Sequence, residues 1–287
     1  MRQRKAFRSL IARNGYIVAP GAFDTLTARL VQLAGFEAVY LTGGGYSRAN
    51  GYPDLGLLTL TEVVRSIGLT VEATDIPVIA DADTGYGNAL DVVRTVREFE
   101  KAGAAAFHLE DQLSPKKCGH YEGKQIVSAE EMIGKIKAAV DTRQDGDLVI
   151  IARSDARAVE GLDAAIERVN RYIEAGADMG FVEAPQSAQE LAEVGKRVRP
   201  AVANIFEGGK TPVLPAAELE RMGFRLGIYP SQTQRAAIFA IKETLAVLKR
   251  DGDTNAIENR LATFADREEA VDAKHWREIE EKYLQNI

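Results

Sequence analysis

Four times along the chain an amphipathic stretch closes on Ala-Gly or Met-Gly and gives way to a short apolar run ending in polar residues. The pattern appears at Gln32-Leu33-Ala34-Gly35 before AVYLTGGG, at Lys101-Ala102-Gly103 before AAFHLED, at Glu174-Ala175-Gly176 before DMGFVEA and at Arg221-Met222-Gly223 before LGIYPSQ. A glycine just past a helix takes the left-handed conformation that stops it, so each site reads as a helix feeding a strand. Filling the gaps with the same periodicities predicts strands near Ile17–Ala19, Ala38–Leu41, Val78–Ala80, Ala106–Leu109, Leu148–Ala152, Met179–Val182, Val202–Ile205 and Leu226–Ile228. Between them, helical periodicity covers Leu26–Leu33, Leu60–Ala73, Ala89–Ala102, Ala129–Val140, Leu162–Ala175, Ala188–Val198, Ala216–Met222 and Thr233–Lys249. The strands are apolar without alternation, as expected of a parallel sheet covered on both faces. The α/β pattern predicts a (β/α)8 TIM barrel over residues 1–250, with an open doubly wound sheet as the alternative. Residues 251–287 add no ninth unit. They read as a C-terminal helical tail, anchored at Leu261, Phe264, Trp276 and Tyr283, that packs on the barrel or on a neighbouring subunit.

In a parallel barrel the chemistry sits at the C-terminal ends of the strands. The polar residues expected there are Thr42-Gly43-Gly44-Gly45, Asp81-Ala82-Asp83-Thr84-Gly85, Glu110 and Asp111, Arg153 and Asp155, Glu183, and Asn204 with Glu207. Carboxylates converging on one opening raise one another's pKa unless a cation intervenes. Mg²⁺, which takes a few carboxylates and keeps waters, suits Asp81, Asp83 and Glu110 as direct or water-mediated ligands, with Mn²⁺ as the other candidate. Asp83 or Thr84 is also suited to capping the next helix. The glycines after Thr42 offer backbone N–H groups to an anion but do not form a dinucleotide fingerprint. Arg153 either meets a substrate carboxylate or pairs with Asp155. His108, in the middle of an apolar strand, reads as structural.

Between Lys116-Lys117 and Gly119-His120 stands the only cysteine, Cys118. Flanking cations ease ionisation of a thiol below its ordinary pKa of about 8.5, so this one can exchange protons near neutral pH. A single cysteine excludes an internal disulfide framework and fits a reducing compartment, with the cytoplasm as the expected location. The net charge of −6 argues against a nucleic-acid partner. No apolar run approaches the 18 residues of a membrane span. The 287 residues, 46% apolar and 27% charged, suffice for one large core.

TGGG, DADTG, LEDQ, KKCGH, ARSDA, FVEAP and NIFEGGKTP occur in that order over most of the predicted barrel. The sequence resembles the isocitrate lyase/phosphoenolpyruvate mutase superfamily, specifically its small lyases of the methylisocitrate, 2,3-dimethylmalate and petal-death type. That resemblance implies a barrel whose last helix is exchanged between subunits, usually in a homotetramer, with Mg²⁺ bound. Asp81 and Asp83 match the metal-binding pair, and Glu110 the same shell. Thr42, Gly43 and Gly44 match the loop that holds a 2-oxo acid, Asp54 a residue near the metal, and Arg153 the arginine on the substrate carboxylate. Tyr40 aids deprotonation of the hydroxyl, Glu183 and Asn204 line the pocket, and Cys118 matches the catalytic acid on a loop that brings Lys116, Gly119 and His120 to the substrate. Arg235 aligns with an arginine of methylisocitrate lyases, whereas Phe206-Glu207-Gly208-Gly209 follows the dimethylmalate and petal-death group. KKCGH argues for carbon–carbon cleavage, since phosphonate-acting relatives are expected to lack the cysteine.

The expected activity is therefore Mg²⁺-dependent retro-aldol cleavage of a small 2-hydroxy di- or tricarboxylate to pyruvate or glyoxylate and a second carboxylate. Oxaloacetate hydrolysis and phosphoenolpyruvate or phosphonopyruvate chemistry are the alternatives within the superfamily. A non-enzymatic oxo-acid binding protein is the alternative outside it.

Overall fold

The computed structural model describes residues 2–119 and 121–284. All eight predicted strands are present: β1 (Ile17–Ala22), β2 (Val39–Leu41), β3 (Val78–Asp81), β4 (Ala106–Glu110), β5 (Val149–Ser154), β6 (Met179–Val182), β7 (Ala201–Asn204) and β8 (Phe224–Tyr229). They run parallel in sequence order, and β1 pairs with β8, so the sheet closes and the open-sheet alternative falls. Gly35, Gly103, Gly176 and Gly223 all have positive φ, the conformation the sequence pattern required of them.

Apolar residues face both ways along the strands. Ile17, Ile79, Val149, Ile151, Phe181 and Leu226 belong to the cluster that fills the barrel. The alternate positions Val39, Val78, Phe107 and Ile150 pack outward with Val96, Phe99 and Ile136 of the surrounding helices. Burying one such side chain fully contributes roughly 1.5–3 kcal/mol, and the two-sided arrangement explains the absence of a polar stripe in the strands.

The outer ring comprises α2 (Thr25–Leu33), α4 (Leu60–Ala73), α5 (Ala89–Ala102), α6 (Ala129–Thr142), α7 (Leu162–Glu174), α8 (Ala188–Arg197), α9 (Ala216–Met222) and α10 (Gln232–Asp251). Two further helices were not expected. The first, α1 (Arg2–Ala12), places Phe7 in the barrel cluster, where it is fully buried, and buries Arg4, which donates to the Ala104 carbonyl at 2.9 Å. The second, α3 (Gly43–Ala49), begins inside the glycine run read from the sequence as a loop. Its N-cap is Thr42, whose hydroxyl accepts from Gly45 N at 3.3 Å.

After α10 come a 3₁₀ segment (Asn255–Arg260), α11 (Phe264–Ala270) and α12 (Ala273–Leu284). Arg29 of α2 donates to the Ala270 carbonyl at 3.0 Å, which fastens this tail to the outside of the barrel. Among the described residues no helix is long and apolar enough to cross a membrane.

Candidate active site

Side chains alternate along a strand, so residues two apart share a face. Tyr40 and Thr42, Asp81, His108 and Glu110, Arg153, Glu183 and Asn204 all continue the inward series above the apolar filling. Register then pairs them: Asp81 lies opposite His108, and Glu110 opposite Arg153. A cavity of about 80 Å³ opens at this end, and Tyr40, Asp81, Cys118, Arg153, Glu183 and Asn204 are among the residues lining it.

The acids are held apart by protein cations. Lys116, buried, sends its ammonium to 2.6 Å from Asp54 Oδ1 and 2.8 Å from Asp83 Oδ1. Burial works against its charge, but Asp83 and Asp54 hold it well above the ordinary lysine range, so it stays charged. Lys117 donates instead to the Gly123 carbonyl at 2.9 Å. Both lysines flanking Cys118 therefore direct their ammonium groups to other partners.

Burial pushes the Asp83 carboxyl up to about 6, with Asp81 adding to the rise and Lys116 opposing it. Asp81 feels the same burial, yet the neighbouring His108 ring and the cations Lys116 and Arg153 outweigh it and leave this carboxyl lowered. Its Oδ1 accepts from Asp83 N at 2.9 Å and its Oδ2 lies 3.3 Å from the Tyr40 oxygen. A Cβ on Gly43 would lie 2.5 Å from Asp81 Oδ2, so only glycine lets the α3 backbone reach the carboxylate.

Arg153 is gripped from three sides. Its Nε and Nη2 meet Asp155 at 2.8 and 3.2 Å, Glu110 lies 3.3 Å from Nε, and Glu183 lies 3.6 Å from Nη2. It thus pairs with Asp155, the second of the two readings, and it also lines the cavity. Asn204 donates to Glu183 at 3.2 Å. Asp111 points outward, where it accepts from Ser154 Oγ and the Tyr172 hydroxyl at 2.7 and 2.9 Å.

His108, read as structural, is in the site. Its Nε2 lies 2.8 Å from the Tyr40 hydroxyl and 3.5 Å from Asp81 Oδ1. Burial lowers its pKa against the pull of Asp81, which favours the neutral ring. Burial likewise raises Tyr40 well above the ordinary phenol range, so the phenol keeps its proton. The available signal was parity, because His108 stands two residues before Glu110 on the same strand face. Arg48 was also missed: it lines the cavity and donates to the Gly44 carbonyl at 2.9 Å. Arg235 is not brought to the cavity; it lies on α10, half exposed, with its Nη1 2.9 Å from the Glu207 carbonyl. His120 lies outside the described residues.

Among the described residues no three carboxylate, imidazole or thiol groups gather into a ready-made metal cage. The residues fit a different arrangement, in which Mg²⁺ takes one or two carboxylates and fills its remaining positions with water and substrate oxygens. Glu110 supports that fit: both its carboxylate oxygens are buried without a hydrogen-bond partner, and burial raises its pKa well above the usual range against the pull of Arg153. Such a group is well placed to accept from an ion's water.

The phosphoenolpyruvate phosphomutase family model matches residues 7–249. The 2,3-dimethylmalate lyase of Eubacterium barkeri is 48% identical over 278 residues, 96% of each chain. The 2-methylisocitrate lyase of Aeropyrum pernix is 44% identical over 257 residues, covering 89% of this chain and 83% of its own. A crystal structure of 2,3-dimethylmalate lyase superposes with a TM-score of 0.93 at 35% identity, covering 98% of this chain and 95% of that one. The chain belongs to the phosphoenolpyruvate mutase/isocitrate lyase superfamily. Within it, the chain is a carbon–carbon lyase.

Proposed function

We propose that the enzyme cleaves the C2–C3 bond of a small 2-hydroxy di- or tricarboxylate of the 2,3-dimethylmalate or 2-methylisocitrate type, releasing pyruvate or another 2-oxo acid. The observation carrying this reading is that Cys118 lines the same cavity as Asp81, Tyr40 and Arg153, so a proton donor, a carboxylate suited to a metal and a fixed cation share one space. Mg²⁺ or Mn²⁺ held at Asp81, with Glu110 and Asp83 on its waters, would acidify the substrate hydroxyl and polarise the nascent carbonyl.

The chain's own groups supply the rest. Thr42 and the α3 backbone receive the oxo-acid carboxylate together with Arg153. Tyr40 Oη takes the hydroxyl proton while passing its own along the 2.8 Å contact to His108 Nε2. The C2–C3 electron pair moves to C3, giving the enolate of the departing carboxylate, and Cys118 Sγ–H delivers a proton to that carbon. Once the products leave, the proton on His108 and the thiolate of Cys118 return to their resting states through solvent. Arg48, at the cavity, takes the second carboxylate of the substrate.

We further infer a homotetramer with an exchanged C-terminal helix. Supporting it, α10 leaves Ile238, Phe239, Ile241, Leu245 and Leu248 exposed, and only Gln234 of its twenty residues is buried. Contiguous apolar surface on that scale marks an interface.

The test of function is a panel of 2-hydroxy di- and tricarboxylates with Mg²⁺, read through lactate dehydrogenase. Turnover of at least one member that is abolished by EDTA is expected. Silence across the panel rejects the reading.

A further inference from the structure

A buried ammonium outside the reaction path ties the cysteine loop to the arginine of the site. Lys124 has a side chain only 1% exposed, and its Nζ lies 2.6 Å from Asp155 Oδ1 and 2.5 Å from the Gly119 carbonyl. Asp155, itself fully buried, is the residue that grips Arg153 at Nε and Nη2. Burial works against its ionisation, but Arg153 and Lys124 outweigh that and hold it at about 2. One carboxylate therefore serves two cations, one facing the cavity and one holding the backbone beside Cys118.

That backbone needs holding. Gly119 is so close to the site that a Cβ there would lie 2.4 Å from Glu183 Oε1 and 2.6 Å from Arg153 Nη2. On the other side of Cys118, Gln112 accepts from Lys117 N at 3.0 Å and donates to the Lys117 carbonyl at 2.8 Å. Cys118 thus sits between two pins, Gln112 on the residue before it and Lys124 on the residue after it. Desolvating an ammonium is unfavourable unless it is paired and hydrogen-bonded. Lys124 meets both conditions only while Gly119 stays against β5.

We propose that Lys124 is a positioning residue that fixes Cys118 over the cavity and, through Asp155, couples its placement to Arg153. The group it positions is the proton donor of the proposed mechanism, but the placement itself is measurable without turnover. Because Cys118 is the only cysteine, alkylation of the full-length protein by iodoacetamide, followed by intact mass in the presence of Mg²⁺, reports on it alone. Removing a charge-assisted hydrogen bond costs enough to raise the exposed population about tenfold to hundredfold, so Lys124→Met is expected to label that much faster than wild type. Lys124→Arg, which keeps the charge, is expected to fall between the two. Labelling of Lys124→Met at the wild-type rate, with an unchanged circular dichroism spectrum, overturns the proposal. Should Lys124→Met not fold, Lys124→Met/Asp155→Asn removes the buried charge together with its partner; faster labelling supports the proposal and wild-type labelling overturns it.

In turnover, a positioning role lowers kcat of Lys124→Met more than it raises KM, since the variant removes no group that itself contacts the substrate. An equal rise in KM with kcat unchanged contradicts it. The labelling result stands whether or not the lyase panel succeeds, so the two readings fail separately.

Discussion

The hydroxyl of Tyr40 lies 2.8 Å from Nε2 of His108, a residue 68 positions later in the chain. The same oxygen reaches Asp81 at 3.3 Å, so the phenol is fixed by two partners and cannot rotate away from the cavity. Tyr40→Phe keeps the ring and removes the proton carrier. A positioned acid–base group contributes about 10²–10⁴-fold, so kcat should fall by that factor with little change in KM. His108→Asn acts one contact further out and should cost on the order of tenfold to hundredfold. Steady-state kinetics of both variants checks the order, and a Tyr40→Phe enzyme as fast as wild type removes the relay.

Cys118→Ser replaces the thiol with a far weaker acid of similar size. If it protonates the departing carbanion, kcat falls by about 10²–10⁴-fold. Oxalate, an oxo-acid mimic that the proposed site would seat at the Thr42 loop and Arg153, should bind the variant as tightly as wild type in a calorimeter. Retained activity would instead favour chemistry at phosphorus, for which this thiol is dispensable.

Arg48 and Arg235 make opposite predictions. Arg48→Gln loses a charge-assisted contact to the second carboxylate, and KM should rise about tenfold to hundredfold. Arg235 is 54% exposed and pairs with Glu207 at 3.5 Å, and such surface pairs contribute little. Arg235→Gln should leave KM within about twofold of wild type. The reverse pattern would restore the assignment expected from the sequence.

Asp83 titrates within reach of ordinary buffers. Its carboxyl is raised from the usual value near 3.9 to about 6, so the folded protein binds this proton more tightly than the unfolded chain. The stability it contributes is full below about 4 and is lost as pH rises through about 6. Urea unfolding in EDTA should therefore show wild type losing stability between pH 4 and pH 7 relative to Asp83→Asn. Parallel curves for the two proteins would contradict the shift.

Most of the barrel was legible because helix-stop glycines and unbroken apolar runs are local signals. Two elements were hidden for physical reasons. The α3 helix starts on three glycines, the poorest helix formers after proline. It forms there because Thr42 caps it and because a side chain at Gly43 would collide with Asp81, facts that exist only in three dimensions. The α1 segment is rich in arginine and looks solvated, but Arg4 spends its charge on the Ala104 carbonyl and on Asp145. The acids, Arg153 and Cys118 were visible as residues at predicted strand ends. Their partners were not: Lys124 is an isolated cation in sequence, and nothing local says that Lys116 will turn into the acids rather than toward the thiol.

Phe7 offers a control at the far end of the molecule. It is fully buried among Ile17, Ala38 and Leu226, and Phe7→Ala should lower stability by about 3–5 kcal/mol. KM should stay unchanged under conditions where the protein is folded. A large shift in KM at constant stability would mean that the two ends communicate.

That phenylalanine is made by the ribosome before any strand, yet its binding place is completed only when the eighth strand has closed against the first. The stopper is ready long before the bottle. Newly made chains must carry this one aromatic ring, on an otherwise basic helix, unseated through synthesis of more than two hundred residues.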